Sequence, residues 1–219
     1  MLHVNNILIF KLIMMNRWIT LMVAIVLSTM CWGQTYTLTK ADKDLLKTAA
    51  VDKVERFQSN CRYIADVSLS STQKQKAIKT ALLDFVAEQK DKNGTVVQKD
   101  AKIVVTSLNG KKQSPKKVKT YLNRLAFNLK DVYAYIDITY SDCHIASDFT
   151  RDPNNPDTYV GIVKVIQYFN SMTKEMHWKS DITEREVKVF ATLTEIFSNN
   201  KTKKLWSVKL GDIEGTAVQ

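Results

Sequence analysis

The chain has 219 residues, 45% of them hydrophobic and 25% charged, and 32 lysines and arginines against 22 acids give a formal net charge of +10. It has only six glycines and three cysteines, and no G-x-S-x-G, H-E-x-x-H, C-x-x-C or phosphate-binding glycine loop, which excludes the motif-defined hydrolase, zinc-protease, thiol-redox and nucleotide-binding templates. Net charge of this sign predicts nonspecific attraction to polyanions and nothing narrower.

At the start, Arg17 precedes an uncharged apolar run, Trp18 to Met30, and Cys31-Trp32-Gly33-Gln34 returns to small and polar residues. A basic n-region, a short apolar core and a cleavage region in that order make a secretory signal peptide, here residues 1–34 with cleavage after Gly33 or Gln34. The run is shorter than the roughly 20 apolar residues that cross a bilayer, so no stable transmembrane segment is expected after processing. Met14 or Met15 makes the better working start, because Met1 leaves a second apolar stretch, Ile7 to Ile13, ahead of the charge. From Met1 the two stretches read instead as an uncleaved anchor. Cys31 offers a third reading, the acylated cysteine of a bacterial lipoprotein, although bulky Met30 precedes it where such signals carry a small side chain.

Processing removes Lys11 and Arg17 and no acid, lowering the formal charge from +10 to +8. Residues 35–219 remain, enough for one well-filled core. Export places the product in the periplasm or outside the cell and disfavours nucleic acid as a partner. Two cysteines, Cys61 and Cys143, remain; in an oxidising compartment they either pair, if their Cα atoms lie within about 7 Å, or stay as buried thiols.

From Thr39 to Ile64 the apolar positions Leu45, Leu46, Ala49, Ala50, Val54, Phe57, Cys61 and Ile64 recur every three or four residues. That spacing predicts a long amphipathic helix, an N-terminal extension to the domain. Ser70 and Gln73 form a capping box for a second helix, carrying Ile78, Leu82, Leu83, Phe85 and Val86, and Asn93-Gly94 closes the helical hairpin. Ser114-Pro115 predicts the N-cap and first turn of a third helix, with Val118, Tyr121, Leu122, Leu125 and Ala126 as its buried stripe. Elsewhere the period changes to two and β-branched and aromatic residues dominate, predicting strands near Thr95–Ser107, Asp131–Tyr140, Tyr159–Asn170, Lys174–Thr183, Glu186–Ile196 and Lys204–Ile213. Turns are written at 152–157 and 198–201. Sequential strands with short connections predict a mainly antiparallel sheet, and the whole an α+β domain with helices on one face.

The stretches Tyr121-Leu122-Asn123-Arg124-Leu125, Val165-Ile166-Gln167-Tyr168-Phe169 with Asp181-Ile182-Thr183, and Leu205 to Ile213 resemble the cystatin-like, NTF2-like superfamily, and its exported members in Bacteroidetes-type bacteria in particular. The resemblance covers roughly residues 72–216. It implies a strongly curved sheet wrapped as a cone around helices, and pairing of open sheet faces into a homodimer. Its motifs are structural, so they carry over no catalytic position, metal ligand or cofactor.

Along Val132 to Tyr140, strand parity puts Val132, Ala134, Ile136 and Ile138 on one face and Tyr133, Tyr135, Asp137 and Thr139 on the other. Two phenols and a carboxylate suit a polar binding surface, so Tyr133, Tyr135 and Asp137 are the candidate binding residues; a solvated sheet face is the plainer reading. Of Asp142, His144 and Asp148, with Asp152 and Asp157 beyond them, the first two are two apart with no second histidine nearby, and calcium-loop spacing is missing, which reads as a solvated turn before it reads as a metal site. Lys111, Lys112, Lys116, Lys117, Lys119 and Arg124, and again Lys201, Lys203 and Lys204, form basic clusters that attract anions or keep the surface soluble. Trp206, sharing a face with Val208 and Leu210, reads as core. The expectation is an exported, non-enzymatic binding or interaction module of the cell envelope, with an envelope protein or a small molecule as partner. The alternative is a small-molecule enzyme of the ketosteroid-isomerase-like type working through a pocket carboxylate.

Overall fold

Thr39 accepts a hydrogen bond from the Asp42 amide at 3.1 Å while the Asp42 carboxylate accepts from the Thr39 amide at 3.0 Å. This reciprocal cap satisfies two otherwise orphaned donors and starts α1 (Lys40–Ala65), whose stripe Leu46, Ala50, Val54, Phe57, Cys61 and Ile64 is buried. The computed structural model describes residues 36–90, 92–94, 96–106, 112–198 and 201–218; the leader expected over 1–34, with Cys31, lies outside the described residues. No described helix is long and apolar enough to cross a membrane.

The expected cap of Ser70 with Gln73 is present and opens α2 (Ser71–Leu82). This helix stops at Leu82, short of Phe85 and Val86. There the backbone is claimed by a partner distant in sequence: Leu210 donates to the Asp84 carbonyl at 2.7 Å and accepts from the Val86 amide at 2.8 Å. Phe85 meets Phe57 edge-on, with ring centroids 4.9 Å apart.

A small hairpin follows, β1 (Gln89–Lys90) with β2 (Val96–Gln98), turned by Gly94 at φ +81°, a conformation glycine adopts without penalty. Next come β3 (Lys102–Val104) and β4 (Lys116–Lys117), which pair antiparallel. The helix expected from Ser114-Pro115 begins later, as α3 (Val118–Asn123), without a side-chain cap. Lys116 and Lys117 have joined the sheet, and the Val118 amide donates to the Ala101 carbonyl at 3.0 Å. From Asn123 the chain widens into a π-helical turn, Arg124–Asn128, and ends in a 3₁₀ turn, Leu129–Asp131.

Four long strands complete the unit: β5 (Tyr133–Asp152), β6 (Asn155–Thr173), β7 (Trp178–Ser198) and β8 (Lys201–Ala217). The six-stranded sheet runs β4-β3-β8-β7-β6-β5 and is open, with β4 and β5 at its edges. Every pairing is antiparallel except β3 with β8, so the α+β class and mainly antiparallel sheet agree with the sequence reading. Two expected strands, Lys174–Thr183 and Glu186–Ile196, are one: Glu184 and Arg185 stay in register opposite Ile166 and Val165. The strand expected to end at Tyr140 continues to Asp152, interrupted by several register shifts against β6. Such bulges bend a strand and increase its twist.

Helix α1 packs chiefly on β5 and also touches β6 and β8. Val163, Val165, Val187, Val189, Ala191, Leu210 and Ile213 form the buried sheet layer. Cys61 and Cys143 are both free thiols. Burial pushes the Cys61 thiol up to about 12, with Arg185 opposing, and Cys143 up to about 11, where Glu55 adds to the effect.

Candidate functional site

Strand alternation and register build one wall of a cleft. Gln167, Phe169 and Ser171 of β6 lie opposite Thr183, Asp181 and Lys179 of β7, so these six side chains share a face, and Arg185 continues it two residues beyond Thr183. The opposite wall is the segment in which the helix changes pitch: Tyr121 comes from α3, Arg124 and Leu125 from the π-helical turn, and Leu129 from the 3₁₀ turn. Together with Thr106 and Lys116 they enclose a cavity of about 270 Å³. Turns of π-helix recur where a helix is reshaped around a function. Here the turn is held from behind by Lys74 of α2, itself buried, whose Nζ donates to the Ala126 carbonyl at 3.1 Å. Burial pulls the Lys74 ammonium below its ordinary pKa.

The floor of the cleft is polar and incompletely paired. Arg185 is 4% exposed. Its Nη2 makes a long hydrogen bond of 3.5 Å to the Tyr121 hydroxyl, and its guanidinium carbon lies 5.6 Å from the Tyr121 ring centroid. Its Nε and Nη1 have no hydrogen-bond partner among the described residues. Ser171 is fully buried, and among the described residues its Oγ also has no partner. Beside them Gln167 donates from Nε2 to the Gln58 Oε1 at 2.6 Å. An unpaired buried donor costs roughly 1–3 kcal/mol, and more when it is charged, so this floor is destabilising unless something answers it. Burial pushes the Tyr121 phenol above its ordinary pKa despite Arg185 beside it, which keeps that hydroxyl protonated at neutral pH.

Of the candidate binding residues, Tyr133 lines this cleft and meets Phe169 edge-on at 6.0 Å. Tyr135 and Asp137 do not share its face. A register shift separates Tyr133, opposite Thr173, from Tyr135, opposite Met172, and the bulge reverses the parity that a regular strand would have kept. Tyr135 is exposed and stacks edge-on with Trp178 at 5.9 Å; Asp137 is met by Arg62 of α1 at 3.4 Å.

The group Asp142, His144 and Asp148 lies within β5 and not in a turn. Asp142 takes φ +50° at a register shift, His144 Nδ1 lies 2.8 Å from the Asp142 carbonyl oxygen, and Asp148 pairs with Lys47 at 2.7 Å. Among the described residues no three histidines, cysteines or carboxylates are grouped to hold a metal ion. The first basic cluster divides: Lys116 and Arg124 face the cleft, while Lys117 pairs with Asp100 and Lys112 with Glu214. Trp206 is half-buried, its indole N–H on the Asp42 carboxylate at 3.1 Å.

The cleft's floor residues, Arg185, Ser171 and Gln167, are absent from the sequence-based candidates. A signal was there. Thr183, Arg185, Val187, Val189 and Ala191 alternate on one strand, which places a charge at a core position of an otherwise apolar face, an arrangement that calls for an explanation. In comparisons with protein-family models and with curated proteins, nothing matches this chain.

Proposed function

We propose that the chain is an exported binding module of the cell envelope, its helices and bent sheet forming a cone of the cystatin-like, NTF2-like kind, with a small-molecule site at the cleft between the π-helical turn and strands β6 and β7. One observation carries this reading: a cavity of about 270 Å³ whose floor holds buried polar groups without partners among the described residues. Pockets for small ligands are concave, mostly apolar, and carry a few convergent polar groups that fix orientation; Leu125, Leu129 and Phe169 supply the first quality, Arg185, Ser171 and Gln167 the second. Binding is favoured over turnover by what lies deepest. An acid/base enzyme needs a carboxylate or imidazole sealed at the reacting centre, whereas here the sealed charge is a guanidinium, which neither gives nor takes a proton near neutral pH, and the cleft's carboxylate, Asp181, is half-exposed.

The test uses N-phenyl-1-naphthylamine, a neutral dye that brightens in apolar surroundings. Saturable one-to-one binding to the native protein is expected, and its loss in Leu129→Trp, which fills the cleft from a half-buried position on the 3₁₀ turn, with the circular dichroism spectrum unchanged. Equal binding by the folded variant places the dye elsewhere and overturns the reading.

A further inference from the structure

We infer that the cleft receives a small monocarboxylate with an apolar body, its carboxylate held by Arg185. This rests on the cleft being the binding site, and adds the chemistry of its occupant.

The polar floor is one-sided. Among the described residues Arg185 leaves donors open on Nε and Nη1, so the floor presents positive charge and N–H groups to whatever enters. Among the described residues no carboxylate lies within salt-bridge distance of Arg185, although a buried ion is stable only when paired. Among the described residues the cleft therefore holds a buried cation without its counter-ion. A guanidinium's planar fork matches the two oxygens of a carboxylate, giving charge-assisted hydrogen bonds of fixed geometry.

The rest of the cleft argues for a monoanion on a hydrocarbon body and against a free phosphate. The floor holds one guanidinium, and Asp181 stands on the same wall, where it opposes a second negative charge. Leu125, Leu129, Phe169 and Tyr133 line the space above, offering apolar and aromatic contact. Lys116, Arg124 and Lys179, which also line the cleft, draw an anion toward it.

Displacement of N-phenyl-1-naphthylamine from the native protein by octanoate, octan-1-ol and inorganic phosphate tests this. Octanoate is expected to compete at least tenfold more strongly than octan-1-ol, and phosphate not at all. In Arg185→Gln the preference for octanoate over octan-1-ol is lost, the ratio of the two falling to about one, in a variant shown to be folded by an unchanged circular dichroism spectrum and a cooperative melt; a retained preference overturns the assignment. Equal competition by octanoate and octan-1-ol overturns the carboxylate assignment and leaves the cleft as a neutral site. Displacement by phosphate overturns it in favour of a free-anion site. Failure of the dye to bind removes both this inference and the reading beneath it.

Discussion

At Gly211 the sheet is packed so closely that the residue has no room for a side chain. A Cβ there would stand 2.5 Å from the Phe190 ring and 3.3 Å from the Lys188 carbonyl oxygen, and Phe190 is itself covered by the Lys188 ammonium at 5.1 Å from the ring centroid. The ring can yield and the carbonyl cannot. Gly211→Ala is therefore expected to lower stability by about 1–3 kcal/mol, the usual range for an overpacked core site, read as a lower urea midpoint. Replacing the ring as well, in Gly211→Ala with Phe190→Leu, should recover part of that loss, since substitutions in contact are not additive. Strict additivity of the two would mean that the ring is not what the new methyl meets.

Helices α1 and α2 each begin with a reciprocal cap, Thr39 with Asp42 and Ser70 with Gln73. Loss of either hydroxyl leaves an amide unsatisfied at a helix end. Thr39→Ala and Ser70→Ala should each cost about 1 kcal/mol, and their effects should sum in the double variant, as separate sites do; equilibrium denaturation checks both statements. These caps are legible in the sequence because they depend on residues three apart. So is the stripe of α1, which depends on a period. What the sequence concealed is decided by partners far along the chain. Phe85 and Val86 continue a helical pattern, yet their backbone is engaged by Leu210. Ser114-Pro115 reads as a helix start, yet Lys116 and Lys117 pair with β3. The candidate site suffers in the same way: Tyr133, Tyr135 and Asp137 share a face only in a strand without bulges, and Arg185 was hidden by reading its neighbourhood as a break between two strands.

Across the whole unit, Asp84 ties the helical layer to the sheet. Its carboxylate accepts from Lys53 at 2.7 Å and from Arg56 at 2.6 and 2.8 Å, while its backbone is bonded to β8. Burial pushes this carboxyl up, but the hydrogen bonds from Arg56 and Lys53 outweigh it and hold the group below its ordinary range. A carboxyl with a depressed folded-state pKa contributes stability that is complete above the unfolded value, about 3.9, and is lost as pH falls through the folded value. The native protein should therefore lose stability on going from pH 6 to pH 3 more steeply than Asp84→Asn, which starts lower and changes less. Parallel slopes in thermal melts across that range would assign the acid response to other carboxylates.

The parallel pairing of β3 with β8 joins Ile103 to Ile213 and Val104 to Glu214, and nearby the Lys102 amide donates to the Asp212 carboxylate at 2.8 Å. These partners are about 110 residues apart, a separation whose closure is entropically slow. While the chain folds, the stretch around residue 103 keeps the edge that β8 covers open until residues near 213 reach it. Chaperone capture and premature self-association should concentrate in that interval, and the final strand acts as the latch that ends it.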